Sequence, residues 1–290
     1  MSIVERAQPA AVTTDSAAPR LVRGGGAARR RRIWLGLILP AALLVLWEAA
    51  CRAGLFPPNQ LPAPSVVFQE MAGLAATGEL LDHIGITLYR VFAGFLLGVA
   101  AATILGSLTG YSRTGRELLD PLLQSLRNVP SLAWVPLFIL WLGIYELSKV
   151  TLIAAGVFFP VYLNLMSGIQ SVDRKLVEVG RVYRLSGLKL IRRVLLPATL
   201  PAYFVGLRSG LGLGWMFVIA AELMGASKGL GFLLLDGQMT GRPQVIIGSL
   251  ILFAILGKLT DVVLVALSHR FVGWQDTFKS PGRERDDAAD

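Results

Sequence analysis

Six runs of about twenty mostly apolar residues, at approximately 33–53, 85–109, 118–143, 147–170, 198–223 and 244–267, constrain this chain more than any other feature. Each is long enough to cross the hydrocarbon core of a bilayer as a helix. A helix also satisfies its own backbone polar groups, which lipid requires. The composition agrees, with 54% hydrophobic and only 16% charged residues, outside the usual range of a soluble globular domain. The expected fold is therefore all-α, a polytopic membrane protein with six transmembrane helices. The first run follows a long polar leader and precedes five more, so it reads as a span and not as a cleaved signal.

The formal net charge of +9 would suit nucleic-acid binding if the basic residues were gathered on one soluble face. They are sorted by loop instead. Arg20, Arg23 and the arginine run 29–32 precede the first span, and Arg113 and Arg116 separate the second from the third. Arg174, Lys175, Arg181, Arg184, Lys189, Arg192 and Arg193 lie between the fourth and fifth, and Arg270, Lys279, Arg283 and Arg285 follow the sixth. With six crossings these segments share a side, which the positive-inside rule makes cytoplasmic, together with both termini. The organisation expected is a disordered basic tail over 1–32, a six-helix membrane domain over 33–270 with a cytoplasmic loop at 173–196, and a cytoplasmic tail over 271–290. The stretch from Gly54 to Asp82 is too polar to span and reads as an external loop, with Ser65 as the N-cap of a short surface helix.

Catalytic signatures are missing. One cysteine and two histidines exclude a disulfide framework and a Cys/His zinc cluster. His83 and His269 fall outside the apolar runs and are expected to be solvated or interfacial. The segment "AILGKLT" fails as a phosphate loop because Leu259 follows Lys258, so no nucleotide hydrolysis is expected of this chain.

Polar and small residues within the spans mark other candidates. Gly94, Gly98, Ala102, Gly106 and Gly110 recur every four residues in the second span, and Gly206, Gly210 and Gly214 do so in the fifth, with Gly212 on another face. Such ladders serve close helix packing or line a moving pathway. In the third span, Pro130 and Pro136 interrupt the helix near Arg127, Asn128 and Trp134, which suits a gate or pathway; alternatively Arg127 snorkels from a span that starts later. Glu222 is either a pathway residue or a carboxylate capping a neighbouring helix. Lys258 and Asp261 are three apart and can pair.

The basic loop divides at Ser186-Gly187 into two amphipathic pieces. Leu176, Val179, Gly180 and Tyr183 share one face of the first, opposite Arg174, Glu178 and Arg181. Leu188, Ile191, Val194 and Leu195 form the apolar side of the second. Pro197 and Pro201 are expected to turn the chain back into the membrane. By its physics alone the hairpin can lie on anionic headgroups or be held by a cytoplasmic partner.

Glu178, Gly180, Ser186-Gly187 and "VLLP" ending at Pro197 resemble the EAA loop of ABC importer permeases. "SLRNVPSLAWVPLFILWLG", "LVEVGRVYRLSG", "GLGLGWMFVIAAEL" and "GKLTD" extend the resemblance to the aliphatic-sulfonate, taurine and nitrate branch over most of 33–275. Here Val179 and Gly180 replace the two alanines of the motif, and Arg184 stands where the branch usually has glycine, so Gly187 is the expected source of the turn. The resemblance implies an import subunit of the bacterial inner membrane, forming a homodimer around a pathway for a small anionic solute. A periplasmic or extracellular binding protein would deliver that solute. Cytoplasmic ABC ATPase subunits, binding ATP and Mg2+, would dock on Glu178, Gly180, Arg181, Tyr183, Arg184, Leu185, Ser186 and Gly187. The competing expectation is an ATP-independent secondary transporter.

Overall fold

The computed structural model describes residues 25–272, and among these every regular element is helical. The proposed tails at 1–24 and 273–290 lie outside the described residues. Helix α1 (Gly25–Arg52) begins ahead of the arginine run, which the sequence reading had left in the tail. Helix α2 (Pro64–Ala76) follows, with Pro64 in the first turn, where its missing N–H costs nothing. Ser65 is not its N-cap, a correction to the sequence reading: Ala63 holds that position. Glu48 of α1 supplies the acceptors instead, taking hydrogen bonds from the Ser65 backbone N–H at 3.0 Å and its hydroxyl at 2.8 Å.

Three long helices form the centre. Helix α6 (Glu146–Gln170) lies between α3 (Glu79–Tyr111) and α9 (Leu196–Leu223). Both glycine ladders face α6. A Cβ on Gly98 would sit 2.6 Å from the Ala154 carbonyl oxygen, and one on Gly210 would sit 2.9 Å from Val161 Cγ2. The ladders are therefore packing seams that let backbones approach closely. Gly212 faces away, with nothing within 4 Å of its notional Cβ.

Among the described residues four helices are long and apolar enough to cross a membrane: Glu79–Tyr111, Glu146–Gln170, Gly187–Leu223 and Pro243–Phe271, the last within α11 (Pro243–Val272). Among the same residues, a bent pair of helices passes the same test together and offers a fifth crossing. The run expected to be one span at 118–143 consists of α4 (Arg113–Asn128), a 3-10 turn at Ser131–Trp134 and α5 (Val135–Leu142), with a 92° bend. Pro130 forces the residue before it, Val129, into extended backbone, which ends α4. Between α9 and α11 lies a shorter apolar helix, α10 (Leu230–Met239).

The basic loop holds α7 (Arg174–Val182) and α8 (Gly187–Leu190). Contrary to expectation, the chain does not turn at Pro197. A π-helical turn at Ile191–Leu195 joins α8 to α9 in one helix of 37 residues. The wider turn accommodates the proline ring that would otherwise press on the carbonyl four residues earlier. It also shifts the helical register, so Leu190 is buried where Leu188 had been expected, and Leu188 is exposed.

Candidate functional site

The hairpin is built to present a firm surface. Asp173 caps α7 by accepting a hydrogen bond from the Lys175 N–H at 2.9 Å. At the other end, the Leu185 N–H donates to the Gly180 carbonyl at 3.0 Å and the Arg184 N–H to the Arg181 carbonyl at 2.8 Å. This is a Schellman closure, whose outer residue must adopt a left-handed backbone. Arg184 does so, with φ 58°, and Gly187 follows with φ 52°. Both positions turn the chain, where the sequence reading relied on Gly187 alone.

Gly180 is buried, and a Cβ there would meet Leu190 Cδ1 at 2.6 Å and Val194 Cγ2 at 3.2 Å. A small residue at this position is what allows the two arms to touch. Leu195 then packs with Leu165 and Ile169, fixing the hairpin to the end of α6. The apolar face foreseen for α7 is thereby split. Gly180 faces the second arm, while Leu176, Val179, Val182 and Tyr183 remain exposed, Tyr183 at 76%. Leu188 adds to this patch, Glu178, Arg181, Arg184 and Ser186 stand exposed around it, and Leu185 is half-buried.

The five pathway candidates fall in two places. Arg127, Asn128 and Pro130 are exposed at the elbow between α4 and α5. Trp134 lines an apolar groove of about 320 Å³ with Phe138, Leu97, Leu126, Phe158 and Phe159. Glu222 is elsewhere, fully buried at the end of the bundle remote from the hairpin.

There it joins residues that sequence reasoning missed. Glu222 Oε1 accepts from the Thr87 hydroxyl and from Arg90 Nη1, both at 2.8 Å, and Oε2 accepts from the Gly231 N–H at 2.7 Å. Arg90 also donates through Nε and Nη2 to the two oxygens of Glu146 at 2.6 and 2.7 Å, and through Nη1 to the Lys228 carbonyl at 2.6 Å. Four of its five N–H bonds are taken. The N-terminus of α10 is capped in succession: Gly229 N–H donates to His83 Nδ1 at 3.0 Å, Leu230 N–H to Thr87 Oγ1 at 2.9 Å and Gly231 N–H to Glu222. His83 is thus buried, neither solvated nor interfacial as expected, because its ring is an acceptor for a helix start.

One hub therefore ties α3, α6, α9 and α10 together. Gly229 and Gly231 permit it, since a Cβ on either would run into Glu222. A signal for Arg90 was present in the sequence: residue 90 extends the four-residue ladder of Gly94, Gly98 and Ala102 toward the helix start, on the same buried face. The hub leaves a single Arg90 N–H uncommitted, and neither it nor the hairpin holds a nucleophile and base in contact. Among the described residues no group of three His, Cys, Asp or Glu could hold a metal.

Comparison with known proteins agrees with this architecture. Residues 94–273 match the family described as binding-protein-dependent transport system inner membrane component. The chain is 40% identical over 252 residues to a putative aliphatic sulfonates transport permease protein of Bacillus subtilis, covering 87% of this chain and 91% of that one. It is 32% identical over 249 residues to the taurine transport system permease protein of Escherichia coli, covering 84% and 90%. It is 30% identical over 239 residues to the nitrate import permease protein of Leptolyngbya laminosa, covering 79% and 84%. The chain belongs to the binding-protein-dependent transport system inner membrane component family, the permease subunits of ABC importers.

Proposed function

We propose that this permease carries a small oxyanion of the sulfonate, taurine or nitrate kind across the bacterial inner membrane, driven by a separate ATPase that docks on the hairpin from Arg174 to Leu195. The observation that carries this reading is the exposed apolar patch of Val179, Val182, Tyr183 and Leu188, set among arginines on a hairpin locked by Gly180. An apolar centre with a charged rim suits a protein partner, and the arginines steer the approach. Two copies of the chain enclose the pathway, a periplasmic or extracellular binding protein delivers the solute, and ATP with Mg2+ binds on the ATPase. The chain crosses six times, with α1 as the first span, the bent α4–α5 pair as the third and both termini cytoplasmic. Membership of the family disfavours an ATP-independent secondary transporter.

Co-purification tests the docking. The tagged wild-type chain, co-expressed with an ABC ATPase subunit from the same organism, should retain that ATPase. Glu178→Lys and Tyr183→Asp should insert normally and lose most of it. Equal retention by wild type and variants would remove the hairpin from the interface and leave it as a lipid-facing amphipath.

A further inference from the structure

Halfway along the two longest helices of the α9–α11 face lies a charged triad that the hub and the hairpin do not involve. Arg208 donates through Nε to Asp261 Oδ1 at 2.6 Å and through Nη2 to Oδ2 at 3.0 Å, while Lys258 Nζ reaches Oδ2 at 3.3 Å. Lys258 is fifteen residues from one end of α11 and fourteen from the other. At 1.5 Å per residue, that is about 20 Å from either end. With α11 crossing the bilayer as proposed above, the triad falls near mid-membrane depth, yet the Arg208 and Lys258 side chains are 58% and 70% exposed. Two cations share one carboxylate, so the group carries a net positive charge.

Charges at this depth face protein or water, because lipid solvates them poorly. The position of the triad is fixed from behind. Trp215 Nε1 donates to Thr260 Oγ1 at 2.9 Å, and the Trp215 ring meets Phe253 edge-on. In front, Ser209 is exposed and Gly212 has nothing within 4 Å of a notional Cβ, with the exposed apolar side chains of Val205 and Met216 flanking them. Arg208 Nη1 has no hydrogen-bond partner among the described residues, so the guanidinium retains donors directed away from Asp261.

We infer that Arg208 and Lys258, held in place by Asp261, form a station for a small oxyanion halfway along a water-filled pathway, and so select the charge of the solute. This rests on the importer reading above. The single net charge fits transient occupancy: the anion is attracted, and Asp261 keeps the site from holding it tightly, as conduction through a site requires. The planar fork of Arg208 matches the oxygens of a sulfonate or nitrate group.

The test uses the assembled transporter in proteoliposomes. With the single cysteine, Cys51, replaced by Ala, Ser209→Cys places a thiol beside Arg208. The thiol is treated with sulfonate-bearing or trimethylammonium-bearing methanethiosulfonate reagents, with rates normalised to a free thiol. The anionic reagent should be favoured by about fivefold or more, Arg208→Gln should abolish that preference, and millimolar ethanesulfonate should slow the reaction. A thiol that does not react, or a preference untouched by Arg208→Gln, would overturn the inference, because the face would then be covered by lipid or by the second copy. ATP-driven uptake of labelled ethanesulfonate should fall roughly tenfold in Arg208→Gln and in Lys258→Gln, with Arg208→Lys restoring part of it. Full uptake in both Gln variants would also overturn it. Absence of ATP-driven uptake in the wild type would instead refute the importer reading, which the labelling does not depend on.

Discussion

Removing Arg90 should destabilise the protein far more than removing Glu146, although the two make the shortest ion pair of the hub. Arg90→Met leaves the Glu222 carboxylate, which has no solvent exposure, without a counter-charge, and breaking a buried pair in this way costs about 3–5 kcal/mol. Glu146 is 45% exposed, and its loss leaves Arg90 with Glu222 and the Lys228 carbonyl. Solvent screening limits Glu146→Gln to about 1 kcal/mol. Glu222→Gln is intermediate at about 3 kcal/mol: the amide keeps one acceptor but turns its NH2 toward the Gly231 N–H.

The double variant Arg90→Met with Glu222→Gln discriminates. Simple addition gives about 7 kcal/mol, but with both charges gone neither is left buried and unpaired, so the expected total is about 4 kcal/mol. The assay is unfolding of the purified chain in mixed micelles as the fraction of denaturing detergent rises. Costs that add to within about 0.5 kcal/mol would refute the coupled-hub reasoning. So would a Glu146→Gln cost equal to that of Arg90→Met.

Arg184→Gly should stabilise the hairpin by about 1 kcal/mol, because glycine takes the left-handed backbone without the Cβ penalty; slower amide hydrogen exchange across α7 would register the gain. Gly98→Val should cost more than about 3 kcal/mol, since the obstruction is the Ala154 backbone and cannot rotate away. Gly212→Ala should change stability by less than about 0.5 kcal/mol on contacts, and the same micelle titration compares the pair.

Much of the helical framework was legible because hydrophobic length and glycine spacing are local properties. The second, fourth, fifth and sixth runs appear as long helices, and the ladder residues occupy the seams against α6. The hairpin was legible as two pieces from its charge pattern. Its details were not, because register depends on hydrogen bonds that propensity does not encode: the π-turn buries Leu190 instead of Leu188, and the Schellman closure places Arg184 in left-handed backbone. The prolines of the third run showed that it breaks, but a proline does not by itself set the 92° angle between the two arms. The hub was least legible, since Arg90 lies 56 residues from Glu146 and 132 from Glu222. Polar residues that look costly alone become neighbours only after α3, α6 and α9 have assembled.

The continuity of α8 with α9 gives the hub its mechanical meaning. One helix of 37 residues, about 55 Å at 1.5 Å per residue, has the hairpin at one end and Glu222 beside the other. Along its length it is held against α6 by Gly206, Gly210 and Gly214, and α6 is held against α3 by the second ladder. At the remote end the Arg90 hub joins the same helices and α10. Helices α3, α6 and α9 are tied at both ends and in the middle, and α10 is fixed to them at its N-terminus, so displacement of the hairpin carries them together. The elbow at Val129–Pro130 is differently placed, because an exposed, bent connection can change angle without breaking either seam. In the proposed transport cycle the ATPase therefore moves a rigid α3–α6–α9–α10 body, and α4 and α5 accommodate the motion.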